Sequence, residues 1–217
     1  MKNNLKMKTK ILYIHGYGSK GNSTTARELE KCMNGEAIVY SPAFSNNLNL
    51  FSEMERNIEQ ARAFVRENAI KLVVASSMGA FTALNLTSIP KLVINPCMLP
   101  SEQLPLLIDP NIAPEEIEKY RLLEQSRIID REECLITYGL FATNDELFSY
   151  RDLFEKQYLS DNAYSMNDGH RISADNVKNS LTPLIHTFLA DLKVTEEYFA
   201  NFSPCVIPEM NDKDWKM

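Results

Sequence analysis

Ser77 stands in the run Ala75-Ser76-Ser77-Met78-Gly79, between two stretches of different periodicity. Before it, Lys71-Leu72-Val73-Val74 reads as a buried strand, and after it Ala80 to Leu86 has helical spacing. A serine at a sharp strand-to-helix turn projects its hydroxyl off the sheet at the start of the helix. Free N–H groups and the helix dipole there favour developing negative charge. This is the setting of a nucleophile elbow, whose pattern small-x-Ser-x-Gly keeps the flanks small because strand and helix converge at the turn. The frame selects Ser77, flanked by Ala75 and Gly79; Ser76 would be flanked by the larger Val74 and Met78. The usual first glycine of the pattern is replaced by Ala75. A Ser-Ser pair after a strand also reads as a plain helix N-cap, so the motif gains chemical meaning only from partners.

Serine is a weak nucleophile until a base takes its proton. Of the histidines His15, His170 and His186, His170 lies in the tight turn Asn167-Asp168-Gly169-His170 after an expected strand, where an imidazole can hang over the end of a sheet. His186 falls inside the last expected helix. His15 ends the first expected strand, where shaping the Gly16 loop by hydrogen bonds is its expected work; with Gly16 it is also placed on the substrate wall. The third member should be a carboxylate following a strand between Ser77 and His170, and Asp145 fits. Thr143-Asn144-Asp145-Glu146 also reads as a capping box, and Glu146 and Asp168 are rival acids, Asp168 being close enough to His170 to shape its turn. Two N–H donors are needed for an oxyanion. The residue after the nucleophile, Met78, supplies one, and Tyr17 in the loop after the first strand supplies the other.

The elements that must position these groups alternate along the chain. Lys10–His15, Ala37–Tyr40, Lys71–Val74, Lys91–Ile94, Glu133–Tyr138 and Ala163–Met166 read as strands. Helices are expected from Ser23 or Thr24 to about Met33, from about Ser52 to Asn68, after the elbow, from Pro114 to about Gln125, after the lead-in Phe141–Asp145 through about Lys156, and from Val177 to Leu192. Strands alternating with helices imply crossovers and a parallel sheet, with helices on both faces. Ligands of such sheets bind beyond the carboxyl ends of the strands, and His15, Ser77, Asn95, Asp145 and His170 all follow strands. Residues 97–131, rich in proline and leucine, suit a small lid or an excursion; Met98 and Leu99 in it could line an acyl pocket. The tail 193–217, with Phe199, Phe202 and Trp215, has no assignment. The whole is expected to be a single domain.

Composition narrows the classes. At 217 residues with 44% hydrophobic side chains the chain can bury a sizeable core, and its net charge of −6 gives no electrostatic reason to bind nucleic acid or an anionic membrane. The basic start Met1–Lys6 has no signal-type apolar core after it, and Ile11–Ile14 is too short to span a bilayer, so a soluble cytoplasmic protein is expected. Cys32, Cys97, Cys134 and Cys205 are scattered without a Cys-x-x-Cys pair, so reduced thiols are expected and no metal site.

Taken together, Tyr13-Ile14-His15-Gly16-Tyr17, Ala75 to Ala80, Ile94-Asn95-Pro96, Asp145-Glu146 and Asp168-Gly169-His170 resemble the YqiA/YcfP-like bacterial esterases, small α/β-hydrolases. The resemblance runs from about residue 11 to about residue 190. It implies an α/β-hydrolase-type, mostly parallel sheet with little or no cap, carboxylic-ester or thioester hydrolysis, and a site floor lined by Asn95 and Pro96.

Rival readings attach to the first loop. Gly16-Tyr17-Gly18-Ser19-Lys20-Gly21 matches Gly-x-Gly-x-x-Gly, yet the second strand ends in Tyr40-Ser41-Pro42 without the acid that would hold a ribose. The same loop falls short of a phosphate-binding P-loop, with Asn22 where the lysine belongs. Neither nucleotide reading uses Ser77 or His170. A non-catalytic binding module on a hydrolase scaffold is a further alternative. The expectation carried forward is serine hydrolysis through an acyl-enzyme, on a small ester or thioester, with no metal or cofactor and an undetermined oligomeric state.

Overall fold

The apolar runs become the strands of one sheet. The computed structural model describes residues 8–190; the tail from 193 lies outside them. The chain divides into units Met1–Thr182 and Pro183–Met217. Every element named below belongs to the first unit, and residues 183–190 of the second are helical.

The strands are β1 (Thr9–Ile14), β2 (Ala37–Tyr40), β3 (Leu72–Ser76), β4 (Lys91–Ile94), β5 (Thr137–Ala142) and β6 (Ala163–Met166). They form one six-stranded sheet in the order β2-β1-β3-β4-β5-β6, with every neighbouring pair parallel. Successive residues of a strand face opposite sides. Leu12, Ile14, Val73, Ala75 and Val93 share a core with Met54, Ile58 and Phe81. The alternate residues Ile11, Tyr13, Leu72, Val74, Leu92 and Ile94 are buried as well, so the sheet is covered on both faces, as all-parallel sheets are.

The helices are α1 (Thr24–Cys32), α2 (Phe51–Asn68), α3 (Met78–Leu84), α4 (Pro100–Leu107), α5 (Pro114–Ser126), α6 (Arg131–Ile136), α7 (Arg151–Gln157) and α8 (Ala174–Asn176). The Ser23 hydroxyl accepts the Ala26 N–H at the start of α1, as its position in the sequence suggested. After α8 the chain continues as a π-helical segment, Val177–Leu181. There the Thr182 hydroxyl donates to the Val177 carbonyl at 2.8 Å, just before Pro183, which has no N–H to offer the ladder.

Residues 97–131 are more deeply built in than a loose flap. Leu104 and Tyr120 are fully buried, and the Tyr120 hydroxyl donates to the Leu48 carbonyl at 2.8 Å. The Glu124 carboxylate accepts from both the N–H and the hydroxyl of Ser101 at 2.7 Å, tying α5 to α4.

Two sequence expectations are corrected. The strand expected at 133–138 begins four residues later, and 131–136 is the helix α6. The Asp130 carboxylate caps that helix by accepting the Glu133 N–H. Glu133 itself is buried and accepts from the Lys91 ammonium at the start of β4, and from the Ser88 N–H. Leu135, expected inside the sheet, is 53% exposed. The helix expected after Asp145 also starts later: β5 extends to Ala142, residues 143–150 form a loop, and α7 starts at Arg151.

Lys91 is 1% exposed, so removing its partner strands a charge in the core. Burial pushes the Lys91 ammonium below its usual range, against the pull of Glu133. Glu133→Ala is expected to cost about 3–5 kcal/mol of stability, read from urea denaturation. Replacing both members with well-packed apolar residues should cost much less.

Candidate active site

The elbow is a backbone arrangement before it is a chemical one. Ser77 sits between β3 and α3 with φ 52° and ψ −122°, a region that a side chain enters only under constraint. The constraint is a set of hydrogen bonds. The Ser77 N–H donates to the Ile94 carbonyl at 2.9 Å, and its carbonyl accepts from Ala80 and Cys97. The two serines then part company. Ser76, the last residue of β3, lies 3.0 Å from the Tyr13 hydroxyl. Ser77 Oγ lies 2.8 Å from His170 Nε2. The other ring nitrogen, Nδ1, lies 2.8 Å from Asp145 Oδ2. Ser77, His170 and Asp145, far apart in the sequence, thus form one hydrogen-bonded chain.

Each member is held by its surroundings. Asp145 Oδ1 accepts the N–H groups of Leu147 at 2.9 Å and Phe148 at 3.1 Å, which bends residues 143–150 into a turn. Burial acts to raise the Asp145 pKa. The hydrogen bonds from His170, Leu147 and Phe148 outweigh it and hold the carboxyl below its ordinary value. The rival acids have other work. Glu146 Oε2 accepts the His170 backbone N–H at 2.8 Å, and that bond is the main reason its carboxyl is held low. Asp168 accepts from Gly169, Ser173 and Asn176, closing the turn that carries the histidine. Phe148 meets the imidazole edge-on, with ring centroids 4.7 Å apart.

Asn95 does something the sequence did not announce. Its backbone has φ 42°, a left-handed conformation that asparagine tolerates better than most residues. The side chain reaches across three elements. Oδ1 accepts the Ala142 N–H at 2.7 Å, and Nδ2 donates to the His170 carbonyl at 2.9 Å and the Gly169 carbonyl at 3.3 Å. Asn95 therefore bolts the histidine turn to the ends of β4 and β5.

A cavity of about 580 Å³ opens beside Ser77 and His170, lined also by Tyr13, Gly16, Tyr17, Ser76 and Met78. Among the described residues, the backbone N–H groups of Tyr17 and Met78 have no hydrogen-bond partner. The substrate-lining expectation needs correcting. Asn95, Pro96 and Met98 are buried, and none of them lines this cavity. His15, 4% exposed, does not line it either. Its Nε2 accepts the Phe44 N–H at 3.1 Å, which leaves Nδ1 protonated to donate to the Gly16 carbonyl at 2.9 Å. Of the loop glycines that suggested a nucleotide, Gly21 has a packing reason: a Cβ there would come within 2.3 Å of the Ser41 carbonyl.

This architecture is the α/β-hydrolase fold. Est1E from Butyrivibrio proteoclasticus superposes with a TM-score of 0.63 at 16% identity, over 87% of this chain and 91% of its own. Alpha/beta hydrolase domain-containing protein 10 from mouse gives 0.60 at 14% identity, over 86% and 91%. A thermophilic esterase from Thermogutta terrifontis gives 0.54 at 13% identity, over 85% and 90%. The chain belongs to the uncharacterised protein family UPF0227, the YqiA/YcfP family, which matches residues 10–189. No curated protein matches it. No helix among the described residues is long and apolar enough to cross a membrane.

Two outcomes are expected from these contacts. Asn95→Ala removes three hydrogen bonds and should loosen the 168–172 turn, read as faster amide exchange there and a loss of about 1–3 kcal/mol. The folded pKa of Asp145 lies below its unfolded value of about 3.9. Its contribution to stability is therefore complete above that value and is lost as pH falls through the lower folded pKa. The stability gap between wild type and Asp145→Asn, followed by thermal denaturation, should be full at about pH 6 and shrink below about pH 4.

Proposed function

We propose that this protein is a serine esterase or thioesterase that cleaves a small ester through an acyl-enzyme. The observation that carries the reading is the unbroken hydrogen-bonded chain from Asp145 Oδ2 through His170 to Ser77 Oγ, with both contacts at 2.8 Å. Its arrangement matches the order Ser, Asp, His of α/β-hydrolases.

In this mechanism His170 Nε2 takes the Ser77 proton as Oγ attacks the carbonyl carbon of the ester. Asp145 fixes the imidazole with Nδ1 protonated, and its ionised carboxylate stabilises the imidazolium that forms. The unpartnered N–H groups of Tyr17 and Met78 receive the oxyanion; one such donor is worth roughly a hundred- to a thousand-fold in rate. His170 then protonates the departing alcohol or thiol, activates water against the acyl-enzyme, and Ser77 is regenerated. Glu146 supports the His170 backbone and takes no proton. A cytoplasmic setting fits the free thiols Cys32, Cys97 and Cys134.

A fluorophosphonate probe should label Ser77 alone, with labelling lost in Ser77→Ala and mapped by peptide mass. Asp145→Asn should lower kcat by roughly ten-thousand-fold, whereas Glu146→Gln should cost far less. An unlabelled protein that bound NAD or ATP tightly would turn the reading toward the Gly16–Gly21 loop, and one that did neither would favour a non-catalytic binding module.

A further inference from the structure

The lining of the cavity beside Ser77 is uneven in its chemistry. Part is apolar, with Leu107 and Phe148. Part is a group of hydroxyls: Tyr13, Ser23, Thr24, Thr25 and Ser76. No aspartate or glutamate lines it, although the chain as a whole carries a net charge of −6. Arg171 does line it.

That arginine is exposed and makes no hydrogen bond or ion pair among the described residues. Three acids around the histidine turn hold other partners: Asp145 the His170 Nδ1, Glu146 the His170 N–H, and Asp168 the groups of Gly169, Ser173 and Asn176. Among the described residues no carboxylate is paired with it. Its position is well defined at the base, because the preceding residue is fixed at its N–H by Glu146 and at its carbonyl by Asn95. A guanidinium offers a planar fork of N–H donors matched to two oxygens of a carboxylate or phosphate.

We propose that the cavity selects an ester bearing an anionic group, a carboxylate or a phosphate-like group, and that Arg171 is the residue that selects it. The proposal rests on the hydrolase reading above. The anion pairs with the guanidinium at the cavity wall, and the hydroxyl group supplies further donors to its oxygens. A neutral ester of the same length binds without that pairing. A cationic ester is disfavoured by like charge.

The test is the ratio of kcat/KM for charged and neutral esters of equal chain length: 4-nitrophenyl hydrogen adipate and 4-nitrophenyl 6-phosphonohexanoate against 4-nitrophenyl hexanoate. 4-Carboxyphenyl hexanoate adds an arm with the charge on the leaving group. Wild type should favour at least one charged ester, and the arm with the largest ratio identifies the anion and its side. Arg171→Ala should lower that ratio roughly tenfold, Arg171→Glu should lower it further, and Arg171→Lys should retain part of it. Because both rates come from one preparation, loss of folded protein cancels in the ratio. Ser77-dependent hydrolysis with every ratio unchanged within about twofold in Arg171→Ala and Arg171→Glu overturns the proposal and leaves the hydrolase reading standing. Absence of any turnover that Ser77→Ala abolishes overturns both.

Discussion

At the turn between β3 and α3 two backbones touch with no room for a β-carbon. A Cβ on Gly79 would lie 2.3 Å from the His15 carbonyl and 2.7 Å from that of Ile14. One on Gly16 would lie 3.0 Å from the Ser77 Cβ. This close approach seats the start of α3 directly on the end of β1. It also falls where the sheet order reverses, since β1 has β2 on one side and β3 on the other. Crevices at such reversals are where parallel sheets receive ligands. The loop after β1 and the serine after β3 share one edge because both glycines let them. The conformation of Ser77 follows, at a cost of about 1–3 kcal/mol that the surrounding hydrogen bonds must offset.

Around that fixed edge the histidine is placed by polar contacts together with burial of its side chain, which is 7% exposed. Its ring is set by Asp145 and Phe148, its N–H by Glu146 and its carbonyl by Asn95. Gly169 belongs to the same arrangement, because a Cβ there would meet Glu146 Oε2 at 2.8 Å. Two adjacent acids thus divide the work, one holding the imidazole and the other its backbone. Sequence spacing cannot distinguish such neighbours, since either carboxylate has the reach.

Local patterns in the sequence carried the sheet and the elbow. The apolar runs of β2, β4 and β6 stand where the periodicity placed them, and the small residues flanking Ser77 selected the serine that faces His170. What failed did so for tertiary reasons. Cys134-Leu135-Ile136 has strand composition, but Glu133 is drawn in to meet Lys91 and the run becomes α6. Asn95 and Pro96 were expected on the site floor from the family resemblance, and Met98 in an acyl pocket of the proline- and leucine-rich segment; the chain buries all three away from the cavity. The left-handed backbone of Asn95 was not legible, since a following proline favours an extended residue, and neither were its three partners, 47 to 75 residues away. The cavity lining, drawn from β1, β3, β4, α1, α3, α4 and three loops, follows no single sequence pattern.

Asn95 joins the histidine turn to the sheet by side-chain hydrogen bonds, and no strand ladder continues through it. Such a joint opens at a lower free energy than the β-core beneath it. On gentle warming, residue 170 can swing away while all six strands keep their register. On the proposed hydrolase reading, activity is then lost before the sheet melts and returns on cooling without refolding.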